Sequence, residues 1–272
     1  MRFALALTPL ILLAACGKEE EAAPAPTFTA SDAAVATGDA SEAVAPPLAK
    51  AVDIKTENPR YSFAYAYPAA AASIPELRAE LDKEMAKARA ELSSMAKEGA
   101  DSAKQDGYDF LPYEQSTKWT VVTELPGWLS LKRDFYEFTG GAHGNHGTAS
   151  LIWDKTAGQH RDPISLFLSK AAFDGALRNA FCNALDKERA KRRGGPVDRN
   201  SGDTFDECLA PSSVTVLLGS SSGQQFNRIG LIADPYAAGP YAEGGYEITL
   251  PVTPAVIKAV KPEYRALFTL GR

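Results

Sequence analysis

His143 and His146 stand three positions apart in the run from Thr139 to Gly147, and two imidazoles at such spacing can serve a transition metal. The chain holds only three histidines and three cysteines, so the ligand set is thin and no metal site is assigned. A turn this rich in glycine reads better as structural. Gly140, Gly141, Gly144 and Gly147 are expected to supply positive φ, with His143 and Asn145 bonding loop backbone. Contact of His143, Asn145 and His146 with a ligand is the functional alternative. A second candidate is the loop from Pro235 to Tyr246, which gathers Tyr236, Tyr241 and Tyr246 among glycines and prolines. Aromatics on a rigid loop are what sugar faces and protein partners dock against; the opposing reading packs these tyrosines inward.

Catalysis finds less support. No serine sits in a strand-to-helix elbow with partners, so nucleophilic hydrolysis has no positive sign. Thr204-Phe205-Asp206-Glu207 is superficially similar to the TFDD motif of polysaccharide deacetylases. No histidine follows His160 to complete the metal site of those enzymes, and Glu207 replaces their second Asp. No catalytic residue and no cofactor are therefore assigned, and an enzyme is the less favoured reading.

The cysteines carry different chemistry. Residues 1–15 begin with Arg2, continue through an apolar run and end in small residues, the layout of a secretory signal that is removed. The run is too short to span a bilayer, which takes about 20 helical residues. Leu13-Ala14-Ala15-Cys16 resembles a bacterial lipobox, so Cys16 is expected to become the acylated N-terminus. Several acyl chains on one residue hold a protein to a membrane stably. Gly17 rather than Asp after the cysteine resembles outer-membrane lipoproteins of Gram-negative cells, which predicts a periplasm-facing anchor. Cys182 and Cys208 then remain as a pair in an oxidising compartment, and a disulfide is predicted.

Residues 16–50 form the lipidated cysteine and an Ala-, Pro- and Glu-rich tether with too little apolar surface to offset its ordering entropy. The chain of 272 residues carries 29 basic and 34 acidic groups, for a net charge of −5 and a pI near 5.4. Two Lys and six acids belong to residues 17–50 and Arg2 to the signal, so the body keeps 26 basic against 28 acidic groups. Such a balance gives no footprint for nucleic acid.

The elements that must position the two loops begin near Ala51. Tyr61 to Tyr67 alternates aromatic and small residues, the mark of a strand with Tyr61, Phe63, Tyr65 and Tyr67 on one face; Val52 to Thr56 is its expected partner. Ser73-Ile74-Pro75-Glu76 reads as a capping box before a helix whose apolar stripe is Leu77, Leu81, Met85, Ala88, Leu92 and Met95. Strands are predicted at Trp119 to Thr123, Leu129 to Phe138 and Thr148 to Trp153, with antiparallel pairing. A helical stretch from Asp162 to Phe167 and a helix from Ala171 to Lys191 follow, the latter ending in a basic run read as a solvated helix end. Further strands at Val214 to Leu218, Gln225 to Ile232 and Tyr246 to Leu250 precede a helix started by Thr253-Pro254. The expected class is α+β, with mixed or antiparallel sheets packed with a few helices in two successive subdomains.

Two stretches carry a family resemblance. Phe138-Thr139-Gly140-Gly141-Ala142-His143-Gly144-Asn145, Asp154-Lys155-Thr156-Ala157-Gly158 and Asp162-Pro163-Ile164-Ser165-Leu166-Phe167 form the first, and Gly230 to Pro251 the second. Both resemble the RsiV-like C-terminal domain family (DUF3298), preceded by a PdaC-type domain (DUF4163). The resemblance implies a PdaC-type subdomain over residues 51–153 and an RsiV-like one over residues 154–272. It further implies an extracytoplasmic α+β module; with the lipid anchor expected at Cys16, the favoured reading is an envelope binding protein whose partner is a lysozyme-like muramidase or peptidoglycan. The chain departs from the family's larger members, lacking both the anti-sigma segment with its membrane span and a polysaccharide deacetylase domain. The alternatives are a metal-dependent cell-wall glycan hydrolase or deacetylase and a structural envelope lipoprotein.

Overall fold

Alternation of rings with alanine makes Tyr61–Tyr67 a strand with one face suited to a core. In the structure, a computed structural model describing residues 49–271, Phe63, Tyr65 and Tyr67 are buried along it. The expected signal segment, Cys16 and nearly all of the tether lie outside the described residues. This strand, β2, pairs antiparallel with β1 (Val52–Glu57). A short helix, α1 (Ala69–Ala72), leads to the long α2 (Pro75–Asp106), which ends at Gly107 with φ 75°. The next strand, β3 (Tyr113–Leu125), lies parallel to β2, because α2 carries the chain back along the sheet, as a parallel neighbour requires. Antiparallel turns then add β4 (Trp128–Phe138), β5 (Asn145–Asp154) and β6 (Gln159–Arg161), giving the order β1-β2-β3-β4-β5-β6.

The predicted stripe of α2 packs on this sheet through Leu77, Leu81 and Leu92, against Phe63, Tyr65, Tyr67, Trp119 and Trp153. Two local expectations change. No capping box forms, because Ser73 closes α1 and its hydroxyl donates to the Ala70 carbonyl; Ile74 occupies the cap position, with Pro75 in the first turn. Met95 is exposed, while Ala96 and Ala103, closer to the Leu92 line at 3.6 residues per turn, are buried.

The opposite face of the sheet meets the second half of the chain. The stretch after Asp162 is a 3-10 turn, Pro163–Leu166, rather than an α-helix, and its first turn is capped by the Asp162 carboxylate. Ser169 caps α3 (Lys170–Arg193) by accepting from the Ala172 amide. The strands β7 (Thr215–Gly219), β8 (Arg228–Ala233) and β9 (Tyr246–Pro251) form an antiparallel sheet in that order, followed by α4 (Pro254–Ala259). Phe173, Leu177, Phe181 and Leu185 of α3 share a core with Ile229, Leu231 and Ile248 of this sheet. Leu125, Trp128 and Ile152 of the larger sheet enter the same core. Successive side chains of β4 and β5 thus feed two cores, as alternation in a strand dictates. The class is α+β in two successive subdomains, one built on a mixed sheet and one on an antiparallel sheet. Among the described residues no helix is long and apolar enough to cross a membrane.

Candidate functional site

The hairpin from β4 to β5 ends in the glycine-rich turn, and the loop between β8 and β9 runs from Asp234 to Gly245. They meet. The Tyr241 hydroxyl donates to the Gly144 carbonyl at 2.8 Å, across 97 positions of sequence. The His143 ring stacks on Tyr241 with centroids 4.0 Å apart and an interplanar angle of 19°. Tyr236 flanks both rings, 5.5 Å from Tyr241 and 6.4 Å from His143, and stands 55% exposed. His146 lies 4.8 Å from Tyr136 and 6.3 Å from Tyr241. Four sequence candidates, His143, His146, Tyr236 and Tyr241, therefore form one aromatic surface. His143 Nδ1 lies 3.0 Å from the Gly144 carbonyl, a bond that requires Nδ1 to carry the proton.

Tyr236 adopts φ 69°, the left-handed region that disfavours a bulky side chain. Such strain persists only where the surroundings over-determine it, and it concentrates at functional loops. Asp234 supplies part of that constraint. Its carboxylate accepts from the Thr148 amide at 3.1 Å and the Thr148 hydroxyl at 2.8 Å, tying the strained loop to β5. Beside the aromatic surface a cleft of about 310 Å³ opens, lined by Phe135, His146, Ile232 and Pro235 with Asp134 and Glu247.

The glycines divide into two jobs. Gly140 and Gly141 take φ 98° and 93° as expected. Gly144 and Gly147 do not: a Cβ on Gly144 would run into the Tyr136 ring, and one on Gly147 into the Phe135 ring. Those two glycines let rings lie flat against β5, which is a packing requirement rather than a conformational one. Asn145 is exposed opposite Glu137, and its side chain makes no hydrogen bond among the described residues, contrary to its expected bond to loop backbone.

Tyr246 does not join the surface. Its ring is 1% exposed, its hydroxyl donates to Glu243, and the Arg192 guanidinium sits 3.9 Å from its ring centroid. The basic end of α3 is likewise not solvated as a whole. Arg189 is 0% exposed; it donates to the Ala238 carbonyl at 2.9 Å and the Glu207 carbonyl at 3.0 Å. Arg193 donates to Asp206 at 2.6 Å and to both Glu243 oxygens at 2.8 and 3.0 Å. Arg192 donates to the Glu243 and Gly245 carbonyls. A signal for this existed: Cys182, Leu185 and Arg189 continue one buried helical stripe at steps of three and four. The Cys182–Cys208 disulfide is present, with Cα atoms 5.4 Å apart.

The loop's anchor has an acid dependence. Burial pushes the Glu243 carboxyl up, but hydrogen bonds from Arg193 and Tyr246 and the charges of both arginines outweigh it, and the net shift is downward. Arg193 is shifted up, first by its bond to Glu243 and against burial, so the partners agree. A carboxyl depressed in the folded state stabilises above its unfolded value, here 4.5, and that contribution is lost as pH falls through the folded value. Stability of Glu243→Gln should therefore fall less steeply than wild type below pH 4.5, measured by denaturant unfolding across pH. Equal slopes would show that the ion pair contributes nothing.

With both loops and their anchors placed, one family match falls on the segment from β1 to the start of β5. Residues 54–146 match the family described as Deacetylase PdaC. The PdaC-type segment thus contributes His143 and His146, while Tyr236 and Tyr241 come from beyond it. No curated protein matches the sequence. Two solved structures of the DUF3298 family are similar, both at 17% identity. One, from Bacteroides fragilis, covers 74% of this chain and 89% of its own with a TM-score of 0.49. The other, from Pseudomonas aeruginosa, covers 82% of this chain and 97% of its own with a TM-score of 0.47. Among the described residues no group of three His, Cys, Asp or Glu side chains converges as a metal site would require.

Proposed function

We propose that the chain is a cell-envelope binding protein, lipid-anchored through Cys16, whose surface of His143, His146, Tyr236 and Tyr241 holds peptidoglycan glycan. One observation carries this reading: an exposed, stacked aromatic surface assembled from two distant loops, with Tyr236 kept in a strained conformation at its rim. Tyrosine and histidine rings offer flat apolar faces to sugar rings, with few torsions to freeze on binding. The PdaC match and the lipobox-like Leu13-Ala14-Ala15-Cys16 support an envelope setting.

Co-sedimentation with purified sacculi tests the reading. Wild type should be retained, and Tyr236→Ala and Tyr241→Ala should each weaken retention by about tenfold or more, the size of a central aromatic contact. Tyr236 is the cleaner substitution, since its exposed ring contributes little to folding. Absence of retention on sacculi, or unchanged retention in both variants, would overturn glycan binding. Capture by immobilised lysozyme without capture by sacculi would replace the glycan by a muramidase-like protein.

A further inference from the structure

We infer that Arg193 is the positioning residue of the aromatic surface, and that the Cys182–Cys208 disulfide sets the affinity of that surface through it. The inference rests on reading His143, His146, Tyr236 and Tyr241 as the binding surface.

Arg193 stands at the end of α3 and reaches in two directions. One nitrogen donates to Asp206, two residues before Cys208. The others grip both oxygens of Glu243, two residues after Tyr241, and the Ala238 carbonyl at 3.3 Å. Arg189, one turn earlier, repeats the arrangement: it donates to the Glu207 carbonyl on one side and the Ala238 carbonyl on the other. The segment at residues 206–208 and the loop at residues 238–243 are thus joined by the same two guanidinium groups. Glu243 in turn accepts from the buried Tyr246 hydroxyl, which locks the loop's far end. The disulfide pins Cys208 to Cys182 on the same helix, so it holds Asp206 and Glu207 where the arginines find them. A planar guanidinium is directional, and what it holds on one side constrains what it can hold on the other.

A dithiol opens the bond. Its thiolate attacks Sγ of Cys208, the less buried of the two residues, and Cys182 departs as a thiolate that takes a proton. The second thiol of the reagent then displaces Cys208. The protein gains two electrons and two protons, and the reagent becomes a disulfide. With residues 206–208 released, Arg193 loses a fixed partner, and the His143–Tyr241 stack loses the framework that orients it.

The experiment reads the NMR signal of the His143 ring, which the Tyr241 ring at 4.0 Å displaces, alongside sacculi affinity. Reduction and Arg193→Ala should each shift the His143 signal and weaken affinity by about fivefold or more, a usual size for coupling between sites. Reduced Arg193→Ala should change by less than the sum of the two separate effects, because Arg193 is a bridge both perturbations remove while Arg189 still joins residues 206–208 to the loop, and Arg193→Lys should restore part of the lost affinity. Should the reduced protein unfold, the oxidised Arg193 variants still decide the positioning role by the same two readouts. An unchanged His143 signal in Arg193→Ala, or strictly additive effects of reduction and substitution, would overturn the inference. If the oxidised wild type ignores sacculi, glycan binding fails instead, while the His143 signal still reports on Arg193.

Discussion

Arg189→Ala should lower stability by about 3–5 kcal/mol, the cost of breaking a buried charged network by removing one member. Arg189 is fully buried and serves the Ala238 and Glu207 carbonyls and the Asp186 carboxylate at once. Alanine leaves the Glu207 carbonyl without its donor, leaves the Ala238 carbonyl only the longer bond from Arg193, and empties the volume of the side chain, so desolvation and cavity costs add. One nitrogen, Nη2, has no partner among the described protein groups, which offsets part of what the other bonds contribute. Arg189→Met separates these effects, since it fills most of the volume without the charge. It should cost less, about 1–3 kcal/mol, chiefly from the Glu207 carbonyl left without a donor. Denaturant unfolding measures both; a change within about 0.5 kcal/mol for Arg189→Ala, the size of an ordinary surface substitution, would show that the loop is held by other contacts.

The second large effect belongs to the disulfide. Cys182→Ser with Cys208→Ser should destabilise the protein by about 3.5 kcal/mol, the chain-entropy value for a closed loop of 27 residues (208 − 182 + 1). The mechanism acts on the unfolded chain, which gains freedom when the bond is absent. Phe181, Leu185 and Ile229 keep their burial in the double variant, so the protein should still fold, with a lower denaturant midpoint. A midpoint equal to that of the oxidised wild type would show that the bond constrains little. Together these changes address the same corner of the molecule from two sides, one through polar bonds and one through covalent connectivity.

The residues of the first core and those of this corner differ in how far sequence determines them. Alternation in Tyr61 to Tyr67 and the Leu77-Leu81-Leu92 stripe specify a strand and a helix, because each depends only on neighbours within a few positions. Cysteine arithmetic likewise reaches the Cys182–Cys208 pair. The glycine-rich turn and the tyrosine loop could each be singled out by composition. The basic run at the end of α3 was open to misreading, since a cation near a helix C-terminus is favourable whether solvated or buried. Only its neighbours in space, Glu207, Ala238 and Glu243, decide which.

Residue types and local period therefore determined the elements, the disulfide pair and the loops worth attention. The tertiary structure alone decided that β3 returns parallel to β2, that Tyr246 turns inward while Tyr236 stays out, and that Gly144 lies against Tyr136. It alone brought His143 onto Tyr241. The physical reason is range: periodicity is written by interactions along a few turns or pleats, whereas this stack depends on the register of two sheets and on the bonds from Asp234 to Thr148 that join them.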